Sequence, residues 1–213
     1  MNESKIRVLL VDDHSVVRSG VRLMLGTASD IVVAAEAENA AEAMRLVREQ
    51  DFDVAMLDIS MPGKNGLDLL KLLRAEKPKL AVLMLSMYSE DLYAVRAIKH
   101  GAAGYLTKTS PAPTMIAAVR KAAAGGRHLS RALAEQLADV LLGSGRQPHE
   151  KLSDRELEVL KLIASGETLV DIGKRLNLSP STVTTYRARI LEKTNLKSNA
   201  KLALYALESG LLS

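Results

Sequence analysis

The chain has no cysteine and no tryptophan, and only 3% of its 213 residues are aromatic. Without cysteine it can form neither disulfide bonds nor a thiolate metal site, which fits a reducing cytoplasm. So few aromatic rings argue against a protein that binds nucleic acid by stacking bases. The N-terminal region shows no basic segment followed by an apolar one, and no apolar run approaches the roughly 20 residues of a membrane span. We therefore expect a cytoplasmic protein with no membrane contact.

The charge is distributed unevenly, although the net charge is only +4. Residues 1–125 carry 16 Lys and Arg against 15 Asp and Glu. Between Ile172 and Lys201 there are seven cations and a single acid, Glu192, a net charge of +6. A concentrated basic stretch favours a polyanion as partner, and a solvated helical face without a partner is the alternative.

The first half of the chain alternates short apolar runs with amphipathic stretches. The predicted strands are 5–11, 31–36, 53–57, 80–85 and 104–106. The predicted helices are 15–26, 40–49, 66–76, 90–100 and 112–124. This alternation predicts parallel strands joined by crossover helices, a doubly wound α/β sandwich. In such sheets, sites form beyond the carboxyl ends of the strands.

The second half is helical in pattern and shows no strand candidate. A helix with Ser130 as its N-cap precedes the polar segment 143–150. Further helices are predicted at 154–165, 168–176, 180–193 and 198–209. We therefore divide the chain into a domain at 1–124, a linker with a helix at 125–150, and a small all-α domain at 151–213.

Polar residues stand at four of the five predicted strand ends. Asp12 and Asp13 follow the first strand, Asp58 the third, Ser86 the fourth and Lys108 the fifth. Each alone is commonly structural, as a helix cap or a solvated ammonium. Because parallel strands end at one edge of a sheet, the five side chains should converge, which favours a functional site.

The convergent group suits phosphoryl transfer to a carboxylate. Adjacent carboxylates repel unless a hard cation such as Mg²⁺ neutralises them. With the metal held by Asp13 and Asp58, and by Asp12 directly or through water, the Asp58 carboxylate can attack phosphorus as a nucleophile. Lys108 and the Ser86 hydroxyl would then stabilise charge on the transferred group.

The segment 168–193 has the pattern of a helix-turn-helix. Ser179 and Pro180 suit the start of its second helix, and Val183 and Ile190 should face the core. The outer face is small, hydroxyl-bearing and basic, which suits the major groove of DNA. We expect base contacts from Thr184 and Thr185, and phosphate contacts from Thr182, Arg187, Arg189 and Lys193. A protein-binding four-helix module is the alternative.

The first domain resembles the receiver domain of bacterial two-component response regulators. The resemblance covers residues 5–124 and rests on the paired acids, "LDISMPGKNG" around Asp58, Ser86, and Tyr105 three residues before Lys108. It implies a flavodoxin-like sheet of five parallel strands and a phosphoryl group accepted on Asp58 from a histidine kinase. It also implies a metal ligand in the Ser60 backbone carbonyl and a switch pair in Ser86 and Tyr105.

Two features of this domain are specific to the chain. Thr109 follows Lys108 where the family has proline in a cis peptide bond, and a cis bond is costlier with threonine. The bond could be cis or the loop relaxed. Ser60 and Tyr88 each lie two residues after a site residue, and we expect them to set the lifetime of the phosphoryl group.

The segment 152–208 resembles the LuxR-type helix-turn-helix of NarL/FixJ-type regulators. The matching stretches are "LSDREL", "DIGKRLNLSPSTV" and "RILEK". Thr168-Leu169-Val170 replaces the Ser-Asn-Lys of many relatives, and Thr184 and Tyr186 replace their Lys and His. Tyr186 joins the expected DNA contacts, and the base preference is expected to differ from that of the relatives.

Together these features predict a phosphorylation-controlled, sequence-specific transcriptional regulator that binds promoter DNA as a homodimer. The alternative is a phosphorylation-independent dimeric transcription factor whose receiver is a scaffold. We do not expect an enzyme: a magnesium phosphatase would use a second Asp two residues after Asp58, where the chain has Ser60. The four histidines lack metal-ligand spacing and are interpreted as incidental.

Overall fold

The computed structural model describes residues 5–61, 65–87, 93–141 and 147–212. The chain divides into two compact units, Met1–Ala134 and Glu135–Ser213. The division falls inside the segment that the sequence assigns to the linker, and the domain boundaries themselves stay a prediction.

The first unit is built on a parallel sheet. Its strands, among the described residues, are β1 (Ile6–Val11), β2 (Ile31–Ala37), β3 (Val54–Asp58), β4 (Ala81–Ser86) and β5 (Gly104–Thr107). They lie in the order β2-β1-β3-β4-β5, and each neighbouring pair is parallel. Residues 8–11 and 54–57 are fully buried, because helices cover both faces of such a sheet and leave no polar side. The predicted fold class is confirmed, with each strand within one residue of its predicted ends.

Within the described ranges, five helices accompany this sheet. They are α1 (Ser15–Gly26), α2 (Ala40–Glu49), α3 (Gly66–Glu76), α4 (Tyr93–Lys99) and α5 (Ala112–Ala123). Side chains of α1 and α5, including Leu25 and Met115, form one core cluster with Val8, Met56 and Leu85 of the strands. The helix predicted at 90–100 is observed from Tyr93 onward, since residues 88–92 lie outside the described part.

The chain that leaves α5 returns to the edge of the sheet. The His128 backbone N–H donates to the Ala103 carbonyl at 2.7 Å, and Gly104 of β5 forms a parallel bridge with His128. A Cβ on Gly104 would lie 2.5 Å from the His128 carbonyl oxygen. This close approach therefore requires glycine at position 104.

The remaining helices follow the predicted pattern. They are α6 (Arg131–Leu141), α7 (Asp154–Ala164), α8 (Leu169–Leu176), α9 (Pro180–Thr194) and α10 (Asn199–Glu208), with a 3₁₀ turn at Pro148–Lys151. Asn177 and Asn195 adopt left-handed backbone conformations, with φ of 53° and 58°, and end α8 and α9. The short turn after Asn177 brings α9 directly after α8, which forms the helix-turn-helix. In the part of the chain covered by the structure, no helix is long and apolar enough to cross a membrane.

Candidate functional site

The side chains predicted at the strand ends meet at one edge of the sheet. The Lys108 Nζ atom lies 2.7 Å from Asp12 Oδ2 and 2.9 Å from Asp58 Oδ2. Because β1 and β3 are parallel neighbours, Asp12 and Asp58 leave the sheet side by side. Ser86 is the last residue of β4, the next strand, and its backbone carbonyl accepts a hydrogen bond of 2.7 Å from Lys108 N–H. The ammonium group of Lys108, which follows β5, therefore joins the ends of β1 and β3 through Asp12 and Asp58.

This charged group is buried. The side chains of Asp12, Asp58 and Lys108 are 0%, 2% and 6% exposed. Burial raises the pKa of Asp58 above its ordinary value, and the charge of Lys108 offsets this only in part. Burial acts to lower the pKa of Lys108, but the neighbouring Asp12 and Asp58 carboxylates outweigh it and hold that pKa above its ordinary value. One cation is thus shared between two buried carboxylates.

The oxygen atoms of this group fit a hard cation. Three buried carboxylate oxygens, Asp12 Oδ2, Asp13 Oδ1 and Asp58 Oδ2, accept no hydrogen bond of acceptable geometry within the described ranges, although Lys108 is within ion-pair distance of two of them. Ligand atoms of Asp12, Asp13, Asp58 and His14 all lie within 4.8 Å of one another. Carboxylate oxygens in such a cluster are the ligands that Mg²⁺ prefers.

His14 corrects one interpretation from the sequence. Its Nδ1 atom lies 2.8 Å from Asp13 Oδ1 and 3.3 Å from Asp12 Oδ1. His149 is also buried and lies 2.7 Å, through Nδ1, from the Tyr205 hydroxyl. Both side chains therefore have contacts that the incidental interpretation does not include: His14 with the two acids that directly precede it in sequence, and His149 with a residue 56 positions later.

The segment after β3 passes close to the Asp58 backbone. A Cβ at Gly66 would lie 2.0 Å from the Asp58 carbonyl oxygen, so only glycine allows α3 to begin here. The buried Asn65 side chain caps α3 by accepting from Asp68 N–H at 2.9 Å. The backbone of Ser60 hydrogen-bonds to the Asp58 carboxyl group and favours its ionised form. Pro62 of the matched motif lies outside the described residues.

The proposed switch pair is inside the domain. Ser86 and Tyr105 are each 1% exposed and lie on neighbouring strands. The Lys108–Thr109 peptide bond is trans, as are the other peptide bonds in the described ranges, and Lys108 reaches both carboxylates from it. Tyr88, expected to influence the lifetime of the phosphoryl group, lies outside the described residues.

A buried cation that the sequence analysis missed stands behind this site. Arg18 of α1 is 8% exposed, and its Nη1 atom donates to the Asp12 carbonyl oxygen at 2.6 Å. It occupies the inner face of α1, together with Val21 and Leu25. The sequence signal that could have identified Arg18 is its position as a cation on the otherwise apolar face of α1.

Helix α9 presents the outer face that the sequence predicted. Val183 and Ile190 are fully buried, whereas Thr184, Thr185 and Ala188 are exposed. The Thr184 and Thr185 hydroxyls donate to the backbone carbonyls four residues earlier, at 2.9 and 3.0 Å. Each hydroxyl oxygen is therefore presented to solvent as an acceptor, with its proton already engaged.

The cations of α9 differ in their surroundings. Arg187 Nε donates to Asn199 Oδ1 at 2.6 Å, and Lys193 Nζ lies 2.7 Å from Glu156 Oε2. Arg189 is exposed and forms no ion pair or side-chain hydrogen bond with any other described residue. A cavity of ≈ 340 Å³ is lined by Ser181, Thr182, Thr185, Tyr186 and Arg189. The predicted contact residues on this side of α9 thus share one concave surface.

A parallel sheet with a carboxylate and lysine cluster at its strand ends, followed by a basic helix-turn-helix, defines a phosphoacceptor module joined to a DNA-binding module. Family models agree: residues 8–120 match the response regulator receiver domain, and residues 150–206 match the bacterial regulatory proteins of the luxR family. The chain therefore belongs to the response-regulator family, as a regulator with a receiver and a LuxR-type DNA-binding domain.

Individual relatives extend over nearly the whole chain. Response regulator GacA of Pseudomonas aeruginosa is 36% identical over 97% of this chain and 98% of its own length. The response regulator ChrA of a heme-sensing two-component system is 32% identical, with a TM-score of 0.54 over 98% of this chain and all of its own. RcsB of Salmonella enterica serovar Typhimurium, bound to a promoter with the phosphomimetic BeF3⁻, is 25% identical, with a TM-score of 0.64 over 95% of this chain and 98% of its own.

Proposed function

We propose that Asp58 accepts a phosphoryl group from a cognate histidine kinase and that this controls promoter binding. The observation that carries the proposal is the position of Asp58, buried between Lys108 and the acidic pair with its pKa raised. In the transfer, an Asp58 carboxylate oxygen forms a bond to phosphorus while the bond from phosphorus to the histidine nitrogen breaks. Lys108 faces the developing negative charge, and Ser86 adds a hydroxyl at the next strand end.

Asp12, Asp13 and Asp58, with the Ser60 backbone carbonyl, would hold Mg²⁺. When bound, the ion supplies positive charge that keeps the carboxylates ionised and neutralises phosphoryl oxygens. The buried oxygens Asp12 Oδ2 and Asp58 Oδ2, which share a single ammonium group, and the nearby Asp13 Oδ1 support this assignment. Lys108 alone leaves part of the negative charge uncompensated, since it faces two buried carboxylates at once.

Coupling between the units begins at β5. Tyr105 follows Gly104, whose backbone is bridged to His128 at the start of the linker. We place the receiver at 1–124, the linker at 125–150 and the DNA-binding domain at 151–213. A rearrangement of Ser86 and Tyr105 on phosphorylation would therefore act on the segment that leads out of the receiver.

The DNA contacts are assigned to the outer face of α9. Thr184, Thr185 and Tyr186 face base edges, and Thr182, Arg187, Arg189 and Lys193 face phosphates. RcsB is bound to a promoter in the presence of a phosphomimetic, which supports the same order of events here. Phosphorylation promotes a homodimer. The homodimer is the form that binds the promoter, because two recognition helices bind DNA far more tightly than one. Because the proposed function is to bind promoter DNA, it implies a cytoplasmic protein.

The experiment that tests this function is phosphorylation by acetyl phosphate with Mg²⁺, followed by mass spectrometry of the whole chain and its peptides. We expect one added phosphoryl group, at Asp58, and none in Asp58→Asn. Asp51→Asn is the matched control, since Asp51 is exposed on the loop before β3. Label at another residue, or none at all, would contradict the proposal. Label at Asp58 without any change in oligomeric state or promoter affinity would support the scaffold alternative.

A further inference from the structure

Arg18 uses three different nitrogen atoms on three different partners. Nη1 donates to the Asp12 carbonyl at 2.6 Å, Nη2 to Glu38 Oε1 at 2.6 Å, and Nε to Glu36 Oε2 at 3.2 Å. Its side chain is 9% exposed. A buried guanidinium group with this many directional bonds fixes the positions of its partners, since its donors are held in one plane.

The hydrogen bond from Arg18 is one of three that hold Asp12 in position. The Asp12 backbone N–H donates to the Ala37 carbonyl of β2 at 3.1 Å, and Asp12 Oδ1 accepts from His14 N–H at 2.8 Å. Arg18 holds the remaining backbone group, the carbonyl. Helix α1 begins directly after this corner without a side-chain cap from His14, its N-cap residue. Arg18 is therefore the side chain that ties α1 to the loop carrying Asp12 and Asp13.

The two glutamates explain how a cation can stand here without blocking the site. Glu36 and Glu38, at the end of β2, neutralise Arg18 from the side away from Asp58. The guanidinium group bonds to the Asp12 backbone carbonyl, while Asp12 Oδ2 stays directed at Lys108. The carboxylates of the site consequently keep their charge for a metal ion.

We propose that Arg18 is a positioning residue of the phosphoacceptor site: it sets the Mg²⁺ affinity by holding the Asp12 carbonyl, and it links the site to the end of β2. The inference rests on the proposed function, because it concerns the metal that Asp12 and Asp13 would bind. Outer groups that orient metal ligands commonly change metal affinity by about 10–100-fold.

Calorimetric titration of Mg²⁺ into the full chain tests this, with Arg18→Gln compared with Arg22→Gln. Arg22 lies one turn further along α1 and pairs with the same Glu36 at 2.8 Å, but it is 55% exposed and makes no contact with Asp12 among the described residues. We expect Arg18→Gln to raise the Kd for Mg²⁺ about tenfold and Arg22→Gln to leave it unchanged. The rate of labelling by acetyl phosphate should fall in Arg18→Gln at low Mg²⁺ and recover when Mg²⁺ is saturating.

Arg18→Lys serves if Arg18→Gln does not fold, because lysine keeps the charge and loses the planar set of donors. Circular dichroism verifies the fold of each variant. An unchanged Kd in the folded Arg18 variants, or equal weakening in Arg22→Gln, overturns the inference and leaves the proposed function standing. A wild-type chain that binds no Mg²⁺ overturns the proposed function itself.

Discussion

In the receiver, the side chains of Asp12, Asp58 and Lys108 are almost completely buried, whereas the cations of α9 lie at the surface. Lys108 is 6% exposed and has two carboxylates as partners. Lys193 is 40% exposed and has a single partner, Glu156, inside the helical unit. Burial makes each charge in the receiver depend on the others, so that removal of one changes the whole group. On α9 no partner among the described residues is shared between two cations, so that removal of one cation affects at most its own partner.

The largest effect that this difference predicts is for Lys108→Ala. Removal of the ammonium group leaves Asp12 and Asp58 buried without compensation, so the free energy of unfolding in Mg²⁺-free buffer should fall by about 3–5 kcal/mol. Lys77→Ala is the control, because its partner Asp51 is 96% exposed. Urea denaturation followed by circular dichroism measures both. Equal losses in the two variants would show that burial does not couple the charges as argued.

A smaller loss of stability is expected for a substitution that displaces the backbone of the site and leaves its charges in place. Gly66→Ala places a Cβ 2.0 Å from the Asp58 carbonyl oxygen, so α3 or the end of β3 must shift, at a cost of about 1–3 kcal/mol. Gly20→Ala in α1 meets no atom within 4 Å and should stabilise the chain, by up to about 1 kcal/mol. The melting temperature should therefore fall in Gly66→Ala and rise in Gly20→Ala. Labelling of Asp58 should slow only in Gly66→Ala.

One buried carboxyl group in each unit should also respond to acid, and the two should do so with opposite signs. Burial acts to raise the pKa of Glu156, but Lys193 and the Ser153 backbone N–H together hold it below its ordinary value. Its ionised form therefore stabilises the folded state at neutral pH, and this stability is lost as the pH falls below about 4.5 through the lowered pKa. The raised pKa of Asp58 has the reverse effect, since stability falls as the pH rises from its ordinary pKa to the raised one.

Glu156→Gln isolates the first of these contributions. The substitution weakens the bond to Lys193 and the capping box with Ser153, and should cost about 1–2 kcal/mol at neutral pH. As the pH falls below about 4.5, the free energy of unfolding should decrease less steeply in Glu156→Gln than in the wild-type chain. Unfolding curves collected at several pH values measure this, and an unchanged acid slope would mean that Lys193 does not bind Glu156 in solution.

The structure brings the predicted strand-end residues of the receiver together, because topology converts strand ends into neighbours. Asp12, Asp58 and Lys108 lie up to 96 positions apart, yet alternation of strands and helices is enough to place them at one edge. Val183 and Ile190 are confirmed in the core of the helical unit for a similar reason, since helical periodicity alone fixes which face they occupy.

Contacts set by the packing of one element on another could not be predicted. Arg18 is buried because Glu36 and Glu38 stand at the end of β2, and nothing local to α1 reveals those partners. Lys193 was expected to contact phosphates, and the structure pairs it with Glu156, 37 residues earlier. The packing of α9 against α7 decides this pair, and the pattern of a single helix does not contain it.

The smallest effect on stability, and the sharpest test of the comparison, concerns two cations in the C-terminal half of α9. Arg189→Ala removes an exposed cation without a partner among the described residues, so thermal unfolding should not change. Promoter binding should weaken, and the slope of log affinity against log salt should fall by about one. Lys193→Ala should instead destabilise the fold, because Glu156 is left buried with its charge unpaired. If Arg189→Ala lowers the melting temperature while Lys193→Ala does not, the contacts of the two side chains do not decide which of them stabilises the fold.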